Sequence, residues 1–233
     1  MRQSTFNGNA IEAAFKYLTG TFSSFKVGDV KTIRVFSKQW PTDFFQIKEV
    51  SAIPHWDVVI YEAMYDNFIN FLINKKEEIL SLTIRHNPSE FNIPSTFYKL
   101  RILQNSKSLT FWPKTAMEDQ DFLDSKSRNF EVRSSIVTNT AINKKIHQWI
   151  NKEVDDLNFI RLDDWEVDGM RDRKMDDDKK RIVDINLILD KILYVKIGNS
   201  GDEMYKITRD DGGVAEILFR GRSVRVFFYG SNK

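Results

Sequence analysis

The sequence predicts an α+β fold made of two similar domains. Three observations predict it. Apolar stripes at helical spacing alternate with short β-branched and aromatic runs. The same order of elements returns in the second half, and a polar stretch separates the halves. The expected division is residues 1–113, a connector at 114–129, and residues 130–233. Helices are expected on one face of antiparallel sheets.

The first half opens with a helix over Asn9–Leu18, striped by Ile11, Ala14, Phe15 and Leu18. Strands are expected at Thr32–Phe36, Phe44–Val50 and Asp57–Glu62. A second helix starts at Asp66 or Asn67 and ends near Lys75. Strands then follow at Ile79–Ile84, Phe97–Leu103 and Leu109–Trp112. Trp112-Pro113 closes the half. Lys114–Asn129 is mostly polar and too long for a structureless loop inside a compact domain, so it reads as a linker.

The second half places a strand at Phe130–Val137 and a helix at Thr140–Glu153, capped by Asn139 or Thr140. Ile142, Ile146, Trp149 and Ile150 form that helix's apolar stripe. Strands at Asn158–Trp165 and Arg181–Asn186 precede a short helix over Leu187–Val195. Hairpin strands fall at Met204–Thr208, Ala215–Phe219 and Ser223–Tyr229, with Gly212-Gly213 as a turn signal. The first helices of the halves are offset by about 130 residues and the second by about 120, which suggests duplication.

Composition narrows the chemistry. The 233 residues carry 35 basic and 33 acidic side chains, so net charge alone announces no polyanionic partner. With no cysteine, disulfides, thiolate metal sites and cysteine nucleophiles are excluded. The start of the sequence has no apolar segment of signal-peptide type, and no run reaches the roughly 18–20 apolar residues of a membrane span. A soluble, cytoplasmic protein is expected.

The outer faces of the helices carry amides and lysines with few acids. Lys144, Gln148 and Asn151 lie opposite one apolar stripe, flanked by Lys145 and Lys152. Asn67, Asn70 and Asn74 line the other long helix, closed by Lys75; Lys16 and Lys191 sit on the remaining two. Such a surface can meet phosphates without reading bases. It can equally be an ordinary solvated face.

Several segments together resemble the DNA polymerase sliding clamps of T-even-type bacteriophages. They are Asp57-Val58-Val59-Ile60-Tyr61-Glu62 with the helix holding Phe68-Ile69-Asn70-Phe71-Leu72, then Ser108-Leu109-Thr110-Phe111-Trp112-Pro113. The closing pattern Tyr205-Lys206-Ile207, Ala215, Phe219-Arg220-Gly221 and Val224-Arg225-Val226 is similar too, as is Phe25-Lys26-Val27-Gly28-Asp29. The resemblance implies a ring-forming processivity fold without catalytic activity or cofactor. It implies a head-to-tail homotrimer around double-stranded DNA that tethers the replicative polymerase after opening by a clamp loader. The lysines and amides named above would face the DNA. Trp112, Phe122 and Tyr229 would receive a partner's apolar tail.

Two rivals come from other classes. A metal-dependent nuclease would need acids such as Asp163, Asp164 and Asp176–Asp178. The run Asp168–Arg181, however, holds five acidic and six basic residues and reads as a self-paired loop. Gln46-Ile47-Lys48 after Asp43 lacks a second carboxylate, and His55, His86 and His147 are scattered. An inhibitor that binds a host enzyme is the other rival.

Overall fold

The computed structural model describes residues 17, 32–35, 52–59, 65–76, 78–85, 93–112, 115–133, 136–154, 157–163, 183–198, 203–220 and 223–230. These residues build one ten-stranded mixed sheet with helices packed against it. Its strands are β1 (Thr32–Val35), β2 (His55–Val58), β3 (Ser81–Ile84), β4 (Ser108–Phe111), β5 (Asn129–Arg133) and β6 (Phe159–Asp163). The remaining four are β7 (Val195–Lys196), β8 (Glu203–Thr208), β9 (Val214–Arg220) and β10 (Ser223–Tyr229). Helices are α1 (Tyr65–Asn74), α2 (Ser95–Tyr98), α3 (Arg101–Gln104), α4 (Asp119–Asp124), α5 (Asn139–Ile150) and α6 (Ile185–Ile188).

The expected mixture of helix and sheet holds. The expected pairing does not: β1 to β6 lie side by side in chain order and all run parallel. Thr32, His55, Ser81, Ser108, Asn129 and Phe159 share one register position, so successive units begin roughly 21 to 30 residues apart. Each crossover returns the chain to the next edge position without a shift. Only the C-terminal part is antiparallel. There β10 lies beside β6, followed outward by β9, β8 and β7.

Alternation along the strands decides the two faces. Trp56, Leu82, Leu109, Phe130, Ile160, Val226 and Ile217 form one buried row; Val58, Ile84, Phe111, Val132, Leu162, Val224 and Phe219 form the next. The helices pack on these rows. Phe71 of α1 meets Trp56 at 4.9 Å between ring centroids, and Tyr98 of α2 meets Phe111 at 5.3 Å. Phe122 of α4 meets Phe130 at 5.2 Å, and Trp149 of α5 meets Phe228 at 5.1 Å. The opposite face carries the alternate residues, polar on β3, β4 and β5, with Phe159 and Phe227 packed together on it at 5.1 Å between ring centroids.

The stretch read as a linker is a packed crossover between neighbouring strands β4 and β5. It looks polar because α4 points Gln120 and Asp124 outward and buries chiefly Phe122. One sheet therefore runs through the position where two domains were expected to part. Phe97–Leu103, read as a strand, forms α2 and α3, entered through Pro94 and Leu100 in extended conformation. Ile185 and Asn186, also read as strand, open α6, where Asp184 Oδ1 accepts the Asn186 amide at 2.9 Å. The helix expected over Leu187–Val195 is shorter and earlier, and Val195 lies in β7.

Other elements fall where expected. The second helix becomes α1 and the Thr140 helix becomes α5, although its cap is Thr138. The hairpin turn places Gly212 at φ +86°, in the left-handed region that favours glycine. The helix at Asn9–Leu18 lies outside the described residues except Tyr17, which is helical and exposed. Phe44–Val50, Asp43, Gln46–Lys48 and Asp168–Arg181 lie wholly outside them.

Candidate functional site

The polar face of the parallel strands has a floor of small hydroxyl side chains. Ser81 and Thr83 on β3 register against Ser108 and Thr110 on β4, and all four are half-buried. Larger residues border them. His55 and Asp57 stand on β2, Asn129 and Glu131 on β5, and Arg161 on β6. Small hydroxyl side chains on two neighbouring strands are thus flanked by strands carrying larger charged and amide groups.

A row of long side chains crowns the C-terminal ends of these strands. Parallel pairing continues one residue past β3 and β4: Arg85 N donates to Val58 O at 2.8 Å and Trp112 N to Ile84 O at 2.9 Å. This places Arg85, Trp112 and Arg133 side by side. The guanidinium of Arg85 lies 5.1 Å from the Trp112 ring, and that of Arg133 lies 5.3 Å from it. The indole thus sits within reach of two cations. Its Nε1 is buried without an acceptor.

Acidic partners lie beneath the arginines. Arg85 makes a two-point bridge to Asp57, at 2.7 and 2.9 Å. The Arg85 side chain is 37 % exposed but that of Asp57 only 10 %. Arg161 reaches Glu131 at 2.9 Å and Asp163 at 2.7 Å, and Asp163 is 8 % exposed. Asp163 also accepts the Ser223 hydroxyl. The bridge to Asp57 holds the Arg85 guanidinium above its usual range. Burial pulls Arg133 below it, with the nearby Asp163 carboxylate opposing that shift.

The described sequence-predicted DNA-facing residues lie on the helix side of the sheet, away from this row, on the two long helices and beyond α6. Asn67, Asn70 and Asn74 are exposed on α1, with Asn74 Nδ2 donating to Asn70 O at 2.8 Å. Lys75 follows that helix, its Nζ 5.9 Å from the Phe71 ring. Lys144 and Asn151 are exposed and Gln148 half-buried. Lys152 bridges Asp211 at 3.3 Å. Lys191 is exposed beyond α6, and Lys16 lies outside the described residues.

Lys145 is a correction. Read as part of the outer face, it is buried, and its Nζ donates to Leu123 O at 3.0 Å and Ser125 O at 2.7 Å. It closes the C-terminal end of α4, where carbonyls lack helical partners. Burial brings its pKa down to about 8.

The aromatic candidates also separate. Phe122 is core, so it is not an open pocket residue as expected. Trp112 belongs to the arginine row. Tyr229 is exposed, with its hydroxyl donating to Glu216 Oε2 at 3.2 Å. Among the described residues no cluster of acids and histidines could hold a metal ion. No described helix is long and apolar enough to cross a membrane.

Sequence reading missed Arg85, Arg133, Arg161, Asp57 and the hydroxyl floor. A signal was present. Ser81-Leu82-Thr83-Ile84-Arg85 and Ser108-Leu109-Thr110-Phe111-Trp112 repeat one pattern, and Asn129-Phe130-Glu131-Val132-Arg133 follows its alternation. Together they mark three equivalent strands with one polar face.

No family model matches the chain, and no solved structure matches it. A curated relative, an uncharacterized F-box protein of Caenorhabditis elegans, is 30 % identical over 89 residues. That stretch is 38 % of this chain and 23 % of the relative, so the chain spans under a quarter of the protein it matches.

Proposed function

We propose that this chain is a non-enzymatic protein-interaction module that holds a segment of a partner protein across the polar face of its parallel strands. The observation that carries the reading is the division of the sheet. Among the described residues the helices pack on one face, and the other presents the hydroxyl floor under the Arg85–Trp112–Arg133 row. Parallel sheets of other designs are covered on both faces. Strand–helix units stacked in chain order instead leave an extended strand surface for binding. The partial similarity to an F-box protein agrees with a role in protein contact.

The test is co-purification of the tagged chain from cells that make it, with quantitative mass spectrometry. Thr110→Arg puts a long side chain on the hydroxyl floor from a half-buried surface position, while Lys144→Gln alters the helix side. A stoichiometric protein lost with Thr110→Arg and kept with Lys144→Gln is the expected result. A protein complex indifferent to Thr110→Arg overturns the reading.

The ring-forming clamp is a second reading, favoured by one observation. Among the described residues both end strands, β1 and β7, have one unpaired edge, and Leu193, Val195 and Ile197 around β7 are exposed. Such edges suit head-to-tail pairing between subunits. This reading requires a trimer of 27.4 kDa subunits by light scattering, and polymerase stimulation that needs a loader. A chain that stays monomeric at high concentration removes it.

A further inference from the structure

We propose that β7 is a self-association edge: residues 193–197 pair antiparallel with the same segment of a second copy of this chain, about a two-fold axis at Val195. The inference goes beyond the docking face, which lies several strands away on β3 to β5.

Three observations carry it. First, the edge is open and apolar. Among the described residues no strand lies outside β7, and residues 193–197 are all exposed. Leu193 is 92 % exposed, Val195 64 % and Ile197 43 %, a run of the kind that edge strands normally guard with charge. The single charged residue of the segment, Lys196, is bridged at 3.0 Å to Glu203 of its own subunit, so its charge is met without a partner. Second, the main-chain groups alternate in the way pairing requires. Val195 stands opposite Lys206 and Lys196 opposite Tyr205, and Ile197 N donates to Met204 O at 2.9 Å. Antiparallel ladders alternate bonded and non-bonded positions. The N–H and C=O groups of Val195 and Ile197 are therefore turned toward β8, and those of Tyr194 and Lys196 toward the open side.

Third, the segment is complementary to itself. An antiparallel copy centred on Val195 sets Tyr194 of each copy in a bonded pair with Lys196 of the other. The same register sets Val195 against Val195 and Leu193 against Ile197, all on one face. Three solitary apolar side chains on each copy thus become one continuous patch. Moving the register two residues further along the segment would set Lys196 against Lys196, and like charges directly opposite disfavour pairing. The symmetry is that of an isologous dimer, in which each copy gives what it receives. Five residues a side is small against about 20–30 in a standard interface, so the dissociation constant is expected on the order of 10–100 µM.

Sedimentation equilibrium of the full chain over about 5–500 µM tests this, and should fit a reversible dimer of 27.4 kDa subunits. Val195→Lys and Val195→Glu each place like charges face to face on the axis, and each should weaken dimerisation about tenfold or more. Mixed in equal amounts, the two variants should associate again as a one-to-one pair, because opposite charges then meet. Lys144→Gln, on the helix side, should leave dimerisation unchanged. Circular dichroism melts confirm that each variant is folded, as expected for substitutions at an exposed position. A chain that stays monomeric throughout, a trimer of the kind the ring reading requires, a dimer indifferent to both Val195 variants, or a mixture that stays monomeric overturns the inference.

Discussion

Lys145, on α5, donates to the main-chain carbonyl of Ser125, 2.7 Å away, and so ties α5 to the end of α4. The contact stays polar inside a largely apolar junction. Phe122 lies 5.9 Å from the same ammonium. The group is therefore held by carbonyl oxygens while burial works against its charge.

This arrangement gives the fold an alkaline dependence. The unfolded chain keeps the Lys145 proton to about pH 10.5 and the folded chain to about 8. Between these values unfolding takes up a proton, so stability rises with pH. The full difference is on the order of 3 kcal/mol, with the penalty fully present below about pH 8. Urea midpoints should climb from pH 8 to 9.5, before the buried Tyr98 phenol opposes the trend. In Lys145→Met the climb should flatten. An unchanged slope would remove Lys145 as its cause.

The entry to α5 should be sensitive to Asp119. Its Oδ1 accepts the Thr138 amide and its Oδ2 the Thr138 hydroxyl, each at 2.7 Å. Thr138 Oγ1 in turn accepts from Ala141 N at 3.2 Å. Asp119→Ala and Thr138→Ala should each cost about 1–2 kcal/mol by chemical denaturation. The double variant should cost less than the two single losses combined, because the groups share one network.

Phe122→Ala separates two roles for one residue. As core it should cost about 3–5 kcal/mol in stability. As a surface anchor it would cost affinity and leave stability nearly unchanged. Thermal unfolding distinguishes these, and a shift of under a degree would contradict the burial.

Gly212→Ala should lower stability by about 1–2 kcal/mol through backbone strain alone, since nothing lies within 4 Å of the added methyl. Asp211 holds the turn by accepting from Arg209 Nε at 2.8 Å and Gly213 N at 3.0 Å. Its carboxyl lies well below the usual range, chiefly through Arg209. A neutral effect of the alanine in urea melts would show that the turn has another accessible conformation.

Local pattern made much of the chain legible. The apolar spacing of Phe68, Phe71 and Leu72 revealed α1, and alternation from Ser223 to Tyr229 revealed β10. Strand direction was not legible, because Leu82 and Leu109 alternate identically in parallel and antiparallel pairs. The four-residue helices α2 and α3 are about one turn each, too short to establish a period. Lys145 misled because its neighbours on the sequence stripe are polar, while the carbonyls it satisfies belong to another helix. The candidate face was hidden for a related reason. Arg85, Trp112 and Arg133 become neighbours only through strand register, across separations that no local window spans.

The position of β10 beside β6 has a structural consequence for the chain's history. The last strand of the meander occupies the only edge to which a seventh parallel unit could attach on that side. A change in the number of parallel strands would therefore have to fall elsewhere than beside β6 to leave this closure intact. The meander thus acts as a terminator, fixing one boundary of the array, whereas among the described residues no strand lies outside β1 at the other.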